Sequence, residues 1–432
     1  MSTSFPVFNE IGEPDFALDP SVAYRAAHAT EGPGIFEMPN DEGLVITRHT
    51  TLNDLKTHPK FEAQKREQRR GGSGADGSLA SLSLRGPFFM NEPEHTPTAV
   101  AVYRPMSPAR NDALVGSLRA IANRAADKIL ESGEANLVSD YAAEIAANFW
   151  LKFLGVPMEM RATFSHWSNT IVPMLAFERS EEQVAAANQS AGEMWTYLRE
   201  HYESIKDSEH QNAFHLLGAA LSASDVDGVP DNPADPIAAM TFDGIDSDAT
   251  ATANVLYTCL RHLEQLALVR EDRSLIPSAW REAMRFEPSL IGLHRAPSES
   301  IDYAGVTIPG GVNVLMLWAA ANRDPSEFDE PDRFDIHRAN QRFLTFGGGA
   351  RICKGRHLAK LQAEIALDVL LEKSSSVELV EHQPDWGRPV WFAPFSQFQY
   401  ELRQISSCYS GILKFSGNQL VIAISPQFSR IE

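Results

Sequence analysis

The spacing of apolar residues predicts a helical middle to the chain. Between about residues 112 and 282, helix-forming residues dominate and apolar positions recur every three or four residues, as at Leu118, Ile121 and Ala125. Residues 237–270 contain no proline and little glycine, so they can form one helix of about eight turns or more, long enough to cross a whole domain. Such a helix must be largely buried.

The pattern changes after Ser298. Residues 301–314 alternate in polarity and include three glycines and a proline, which predicts a hairpin-like β region. A further helix is predicted over residues 358–372, and residues 389–424 are rich in the Phe, Tyr, Val and Ile that are typical of short strands. The predicted fold class is therefore mainly α with small β-sheets.

Two polar segments, residues 65–83 and 225–236, are predicted to be long surface loops. The first holds Gly72, Gly74 and Gly77, which spell the Gly-x-Gly-x-x-Gly of dinucleotide sites. It follows a polar run instead of the apolar strand that such a site requires, so we do not interpret it as one.

The net charge and the number of cysteines exclude some classes of function. The 432 residues carry 38 Lys and Arg against 57 Asp and Glu, a net charge of −19, which argues against nucleic acid as a partner. Three cysteines are too few for a disulfide-built secreted fold, so we expect a cytoplasmic protein. Residues 1–20 hold no apolar run of signal-peptide or membrane-span length, so no membrane anchor is expected.

The segment that most strongly indicates a cofactor site is 346–355, Phe-Gly-Gly-Gly-Ala-Arg-Ile-Cys-Lys-Gly. Its glycines let the backbone approach a flat cofactor, and Cys353 stands just before a predicted helix whose N-terminal amides and dipole stabilise a thiolate. Arg351 is placed to reach a carboxylate. The plainer alternative is a buried structural cysteine in a glycine-rich loop.

This segment resembles the cysteine-loop signature of the cytochrome P450 family, Phe-x-x-Gly-x-Arg-x-Cys-x-Gly, at every fixed position. The resemblance implies that Cys353 ligates the iron of haem b, and that other residues of the segment bind the cofactor: Phe346, Gly347, Arg351 and Gly355. It also implies a single-domain triangular fold with haem between the long central helix and the cysteine-bearing helix. We expect this domain to span residues 1–405, followed by a C-terminal extension of unknown role over residues 406–432.

A second motif, Glu-x-x-Arg, places Glu282 and Arg285 three residues apart on one helix face. It stands about 70 residues before the cysteine, as it does in the P450 family. The resemblance implies a buried ion pair that reaches the loop around Arg338 and supports the haem pocket. Arg295 matches an arginine that binds a haem propionate in the family. Alone, Glu-x-x-Arg is an ordinary surface pair.

The third motif lies on the long helix, where Gly244, Asp246 and Ser247 are similar to the family's Gly-x-Asp/Glu-Thr. The similarity implies that Gly244 leaves room for oxygen, and that the carboxylate and hydroxyl relay the protons that oxygen cleavage needs. The chain departs from the common pattern in having Ser247 where threonine is usual and Asp243 where alanine is usual. The alternative is that Asp243, Asp246 and Asp248 are capping or solvated acids of a helix start.

A fourth similarity is the segment 91–96, Asn-Glu-Pro-Glu-His-Thr, which precedes the helix that crosses the haem edge in the family. It implies that His95 donates a hydrogen bond to a propionate. The family often has an arginine four residues later, where this chain has Ala99. A surface histidine is the alternative.

The resemblance implies a monooxygenase that inserts one oxygen atom from O2 into a small, mostly apolar organic substrate. Electrons would come from NAD(P)H through a separate ferredoxin or flavodoxin and its reductase, because the chain has no flavin domain. Family topology predicts pocket walls from residues 174–177 and from Phe88, Phe89, Asp243, Leu290 and Ile291. Two alternatives stay open. One is a peroxide-driven peroxygenase, which the acid–hydroxyl pair disfavours, and the other is a non-catalytic haem-binding sensor.

Overall fold

The helical middle predicted from the apolar spacing is present. The computed structural model describes residues 5–12, 16, 19–39, 43–63, 85–171, 180–209, 212–379 and 421–426. The predictions for residues 65–83, 174–177 and 389–420 fall outside this part. The α-helices are α1 (Ser21–Ala29), α2 (His49–Leu55), α3 (His95–Tyr103), α4 (Pro108–Ser132), α5 (Ala143–Leu154), α6 (Arg161–Ile171), α7 (Glu181–Ile205), α8 (Ala213–Leu221), α9 (Ala234–Arg261), α10 (Leu263–Glu271), α11 (Ile276–Phe286), α12 (Trp318–Ala321) and α13 (Arg356–Lys373).

The strands form small sheets beside the helices, so the fold class is confirmed. They are β1 (Ile35–Glu37), β2 (Leu44–Ile46), β3 (Phe61–Glu62), β4 (Glu134–Asn136), β5 (Leu293–Pro297), β6 (Ile301–Tyr303), β7 (Val306–Ile308), β8 (Val314–Met316), β9 (Ser374–Leu379) and β10 (Val421–Pro426). The largest sheet has the order β1-β2-β8-β5-β3. The hairpin predicted after Ser298 is the antiparallel pair of β6 and β7, in which Ile301 faces Ile308.

The long helix α9 runs through the main core and packs against α5, α7, α11 and α13. Its 28 residues make almost eight turns. The prediction of one helix as far as residue 270 was wrong at its C-terminal end, since the backbone leaves helical geometry at His262 (φ −120°, ψ 69°). The Nδ1 atom of His262 lies 2.8 Å from the carbonyl oxygen of Thr258, the acceptor that its own backbone N–H would use in a continuing helix.

The C-terminal end of the described chain returns to the helices as β10. This strand pairs with β4 and β9 in a three-stranded antiparallel sheet, and the side chains of Ile422 and Ile424 are buried in the main core. The boundary at residue 405 stays a prediction, but part of the predicted extension is packed on the helical body. Within the described ranges, we find no helix with the length and apolar character of a membrane span.

A buried carboxylate ties the start of α9 to its neighbours. Asp235 accepts hydrogen bonds from the Trp195 indole (2.7 Å), from Arg199 Nε (2.9 Å) and from the Arg85 guanidinium (2.6 Å). Both guanidinium groups also lie 4.9 Å from the centre of the Trp195 ring. The segment after residue 84, which leads to Phe88, is therefore anchored to α7 and α9.

Replacing Asp235 with asparagine is expected to lower the free energy of unfolding by about 2 kcal/mol, because charged donors lose their anion while the arginines stay partly hydrated. Guanidinium chloride unfolding measures the effect. Asp231→Asn, a change at an exposed carboxylate in the preceding loop, should leave the midpoint unchanged. Equal midpoints for both variants would contradict the anchoring role.

Candidate functional site

A cavity separates the cysteine loop from the long helix. Cys353 and its neighbours form one wall, and the face of α9 that carries Gly244 and Ser247 contributes another. The remaining walls come from α3, from the segment around Phe88 and from β5. Sequence-predicted residues that line the cavity are His95, Gly244, Asp246, Ser247, Leu290, Arg295, Phe346, Gly347, Arg351, Cys353, Gly355 and Phe88.

The cysteine loop is held by its own backbone and by aromatic packing. The Cys353 amide donates to the Phe346 carbonyl at 2.9 Å, and Gly349 turns the chain with a φ of 60°, a conformation that other residues rarely adopt. The Phe346 ring stacks on Trp280 of α11 at 5.8 Å. Since α13 begins at Arg356, the loop delivers Cys353 just before a helix N-terminus, as predicted.

The Cys353 thiol opens into the cavity. Burial raises its pKa to about 11, against a smaller lowering by the Gly355 and Arg356 amides. The helix N-terminus was expected to stabilise a thiolate, and in this environment desolvation outweighs it. A cation bound beside the sulfur would supply the missing charge, which is the behaviour of a metal-ligating cysteine.

Cationic side chains gather at one side of the cavity. Arg295 is buried, and burial together with the charge of Arg351 lowers its pKa to about 9. Among the described residues no carboxylate forms an ion pair with Arg295. Arg351 donates to the Asn91 amide oxygen at 2.7 Å. The His95 ring is buried too, and burial followed by the Arg351 charge lowers its pKa.

A buried guanidinium group (Arg295) and a half-buried one (Arg351) that face the same cavity call for an anion, because an uncompensated buried charge is costly. A flat cofactor with carboxylates at one edge and a metal at its centre matches this set, since Arg295 and His95 lie on other walls than the thiol. The donor set therefore fits haem b.

Gly244 allows a close contact between α9 and the indole of α5. A Cβ atom at this position would lie 2.2 Å from the Trp150 ring, so the missing side chain admits the indole of α5 against α9. The Trp150 Nε1 atom then donates to Asp248, one turn further along, at 2.8 Å. Gly244 also borders the cavity, and its role in leaving room for oxygen remains a prediction.

Asp246 and Ser247 both border the cavity, and the Ser247 hydroxyl donates to the Gly244 carbonyl at 3.3 Å. The side chain of Asp243 lies outside the described part. A proton relay through Asp246 and Ser247 remains a prediction.

The predicted substrate walls are only partly correct. Phe88 and Leu290 border the cavity. Ile291 packs instead against the core cluster around Val45, because neighbouring residues of an extended segment point to opposite sides. Phe89 contacts Phe88 edge-on, with ring centres 4.6 Å apart, and lies outside the set of cavity-lining residues.

Glu282 and Arg285 form a bidentate ion pair in α11, with distances of 2.7 and 2.9 Å. Both side chains are buried, and Glu282 also accepts from Arg338 at 3.1 Å. Arg285 donates to the carbonyl groups of Asn322 and Pro331. The pair therefore joins α11 to the segment that leads into the cysteine loop.

Sequence reasoning missed several cavity residues with polar side chains, among them Lys56, Trp150 and Asp248. Asp248 was considered only as an acid near a helix start, although its position one turn after Gly244 places it on the same helix face. Lys56 packs along Gly348 of the cysteine loop. No local pattern marks Lys56 or Trp150, since each meets the cavity through tertiary contacts alone.

Comparison with known proteins gives a consistent result. The cytochrome P450 family model matches residues 151–385. The cytochrome P450 monooxygenase PikC of Streptomyces venezuelae is 29% identical over 386 residues, 88% of either chain. A vitamin D(3) 25-hydroxylase of Pseudonocardia autotrophica is 29% identical over 356 residues, 82% of this chain and 85% of the relative. The solved structure of P450BioI with a fatty-acid-ligated acyl carrier protein has a TM-score of 0.78 and 26% identity, over 85% of this chain and 94% of that one.

Proposed function

The chain belongs to the cytochrome P450 family of haem-dependent monooxygenases, and from this premise we propose that it inserts one oxygen atom from O2 into a small, mostly apolar organic molecule. The observation that carries the proposal is one cavity bordered by the Cys353 thiol, by the Asp246–Ser247 pair and by the buried Arg295. Each of these groups meets a different requirement of the reaction.

The first requirement is to hold the cofactor. Cys353 would ligate the iron, while Arg295, Arg351 and His95 would bind the carboxylates of haem. When bound, thiolate-ligated haem supplies the activated oxygen that attacks unactivated carbon. The donor set supports these roles because Arg295 has no carboxylate partner among the described residues and its burial disfavours a free charge.

The second requirement is a supply of protons inside the cavity. The Ser247 hydroxyl would pass a proton to oxygen, and Asp246 would restore it. Two positions on one helix keep the acid and the hydroxyl at a fixed separation. A serine has more rotamer freedom than threonine, so we expect looser control of the proton.

The third requirement is a substrate and a source of electrons. The apolar lining by Phe88, Leu290, Leu293 and Met240 supports a mostly apolar substrate. Electrons would come from NAD(P)H through a ferredoxin or flavodoxin with its reductase. We also place the protein in the cytoplasm, a proposal that rests on its sparse cysteines, of which Cys259 and Cys353 are free thiols.

Reconstitution tests the proposal. The haem-loaded protein with NADPH, a ferredoxin and its reductase should convert apolar compounds that shift its spin state into products one oxygen atom heavier. Omission of ferredoxin with added hydrogen peroxide tests the peroxygenase alternative. Spectral binding without product under both conditions would instead favour the sensor.

Ser247→Ala is expected to keep the haem spectrum and to lower coupling, the product formed per NADPH, by about tenfold or more, with the lost electrons released as peroxide. Product yield and peroxide are measured together. Thr250→Ala, three residues further along α9 at a position that does not border the cavity, is the control. Unchanged coupling in Ser247→Ala would refute the relay.

A further inference from the structure

A second carboxyl group of α9 borders the cavity, and the proposed proton relay does not use it. Asp248 is buried, with 6% of its surface exposed, on the same helix face as Gly244. It lies in the core where α5, α9 and α13 meet. Burial at the cavity wall disfavours the ionised form of this acid, because a carboxylate there loses its hydration.

Hydrogen bonding distinguishes the two oxygen atoms of Asp248. Its Oδ2 atom accepts from the Trp150 indole at 2.8 Å and from the Gln362 amide at 2.7 Å. An indole N–H can only donate, so Oδ2 is an acceptor. We find no described residue that donates to Oδ1, and the group borders the cavity. A carboxylic acid that carries its proton on Oδ1 would have this arrangement.

Electrostatics agree with a neutral acid. No described arginine, lysine or histidine offsets the charge of Asp248, and burial raises its pKa to about 7 against the lowering by its two hydrogen bonds. Its titratable neighbour is Cys353, and a negative charge on Asp248 raises the pKa of that thiol.

We propose that Asp248 is a hydrogen-bond donor of the cavity, a neutral carboxylic acid held by Trp150 and Gln362 so that Oδ1–H points at an oxygen acceptor of the bound substrate. The inference rests on the proposed function and deepens it, because it names a substrate feature. The preferred compound is apolar but carries a carbonyl, ether or hydroxyl oxygen that Asp248 can reach. Asp248 is then a specificity-determining residue, distinct from the Asp246–Ser247 pair.

Infrared spectroscopy of the haem-loaded protein at pH 6 tests the neutral acid. The wild type should show a protonated carboxyl band that Asp248→Asn removes and the matched control Asp246→Asn keeps. Trp150→Phe should shift this band, because one donor to Oδ2 is lost. If the band survives in Asp248→Asn, or does not move in Trp150→Phe, the neutral acid is excluded.

Two apolar probes of similar shape test the direction of the donor. Cyclohexanone offers a carbonyl acceptor and methylenecyclohexane does not, so the ratio of their dissociation constants reports one hydrogen bond. Asp248→Leu should reduce the preference for the ketone by about five- to tenfold relative to wild type. Asp248→Asn should keep it, because its amide accepts at the Oδ2 position and donates at the Oδ1 position.

An unchanged ratio in Asp248→Leu would overturn the proposal. If Asp248→Leu does not fold, Asp248→Ala keeps the test open, because it also removes the donor and should reduce the ketone preference, whereas Gln362→Leu leaves the donor in place and should keep it. Calorimetry measures these constants without relying on turnover. The proposed function fails separately if the reduced, carbon-monoxide-treated protein lacks a thiolate-type spectrum, whatever the carboxyl band shows.

Discussion

Cys353→Ala is expected to abolish the strongly red-shifted Soret band that the dithionite-reduced, carbon-monoxide-treated wild type shows. The loss should be complete, because no other described thiol borders the cavity. Arg295, Arg351 and His95 stay in place, so the variant is expected to retain some haem through its carboxylates, with a spectrum that no longer reports a thiolate.

Cys259→Ala is the matched control. Cys259 lies on α9, is buried, and has a pKa raised to about 12 by burial, so it is a packing thiol. This variant should keep the red-shifted band and lose only the small stability of a truncated core side chain. A band that survives in Cys353→Ala, or disappears in Cys259→Ala, would show that the ligand is wrongly assigned.

The sequence allowed prediction of those site residues that belong to short local motifs. The cysteine loop, the Glu282–Arg285 pair and His95 each sit in a short pattern whose spacing is set by one turn or one helix face. The structure brings Cys353 and His95 to the same cavity and buries the ion pair. Local patterns also gave the hairpin of β6 and β7.

The sequence analysis missed features that depend on contacts between residues distant in the sequence. The end of α9 depends on the His262 ring, which lies between Phe286 and Phe334 and meets the Thr258 carbonyl, and periodicity carries no sign of this. The motif that assigns Gly244 to oxygen gives no indication that Trp150, 94 residues earlier, packs against this glycine.

The same limit explains why Asp248 was not recognised. Its neighbours Trp150 and Gln362 lie 98 and 114 residues away in the sequence. A helical projection places Asp248 on the cavity face, but only the fold shows that both donors converge on one of its oxygen atoms. The charge state of a buried acid depends on such partners and on the absence of a cation.

The second large effect concerns the ion pair beneath the cysteine loop. Arg285→Leu is expected to lower the free energy of unfolding by about 3–5 kcal/mol, because Glu282 is left as a buried acid with only the Arg338 guanidinium and the Asp335 amide as donors. The lost guanidinium also leaves the carbonyl groups of Asn322 and Pro331 without their donor. Guanidinium chloride unfolding of the haem-loaded protein measures the change.

The effect should extend to the cysteine loop, because Asn322 donates to the Thr345 hydroxyl at 2.8 Å and its amide oxygen accepts from the Leu344 backbone at 2.7 Å. We therefore expect Arg285→Leu to lose the thiolate-type spectrum at denaturant concentrations that leave the wild type loaded. The control is Arg333→Ala, which removes the exposed pair with Glu330 and should change stability by about 0.5 kcal/mol or less. Equal effects of the two substitutions would mean that burial of the Glu282–Arg285 pair does not support the loop.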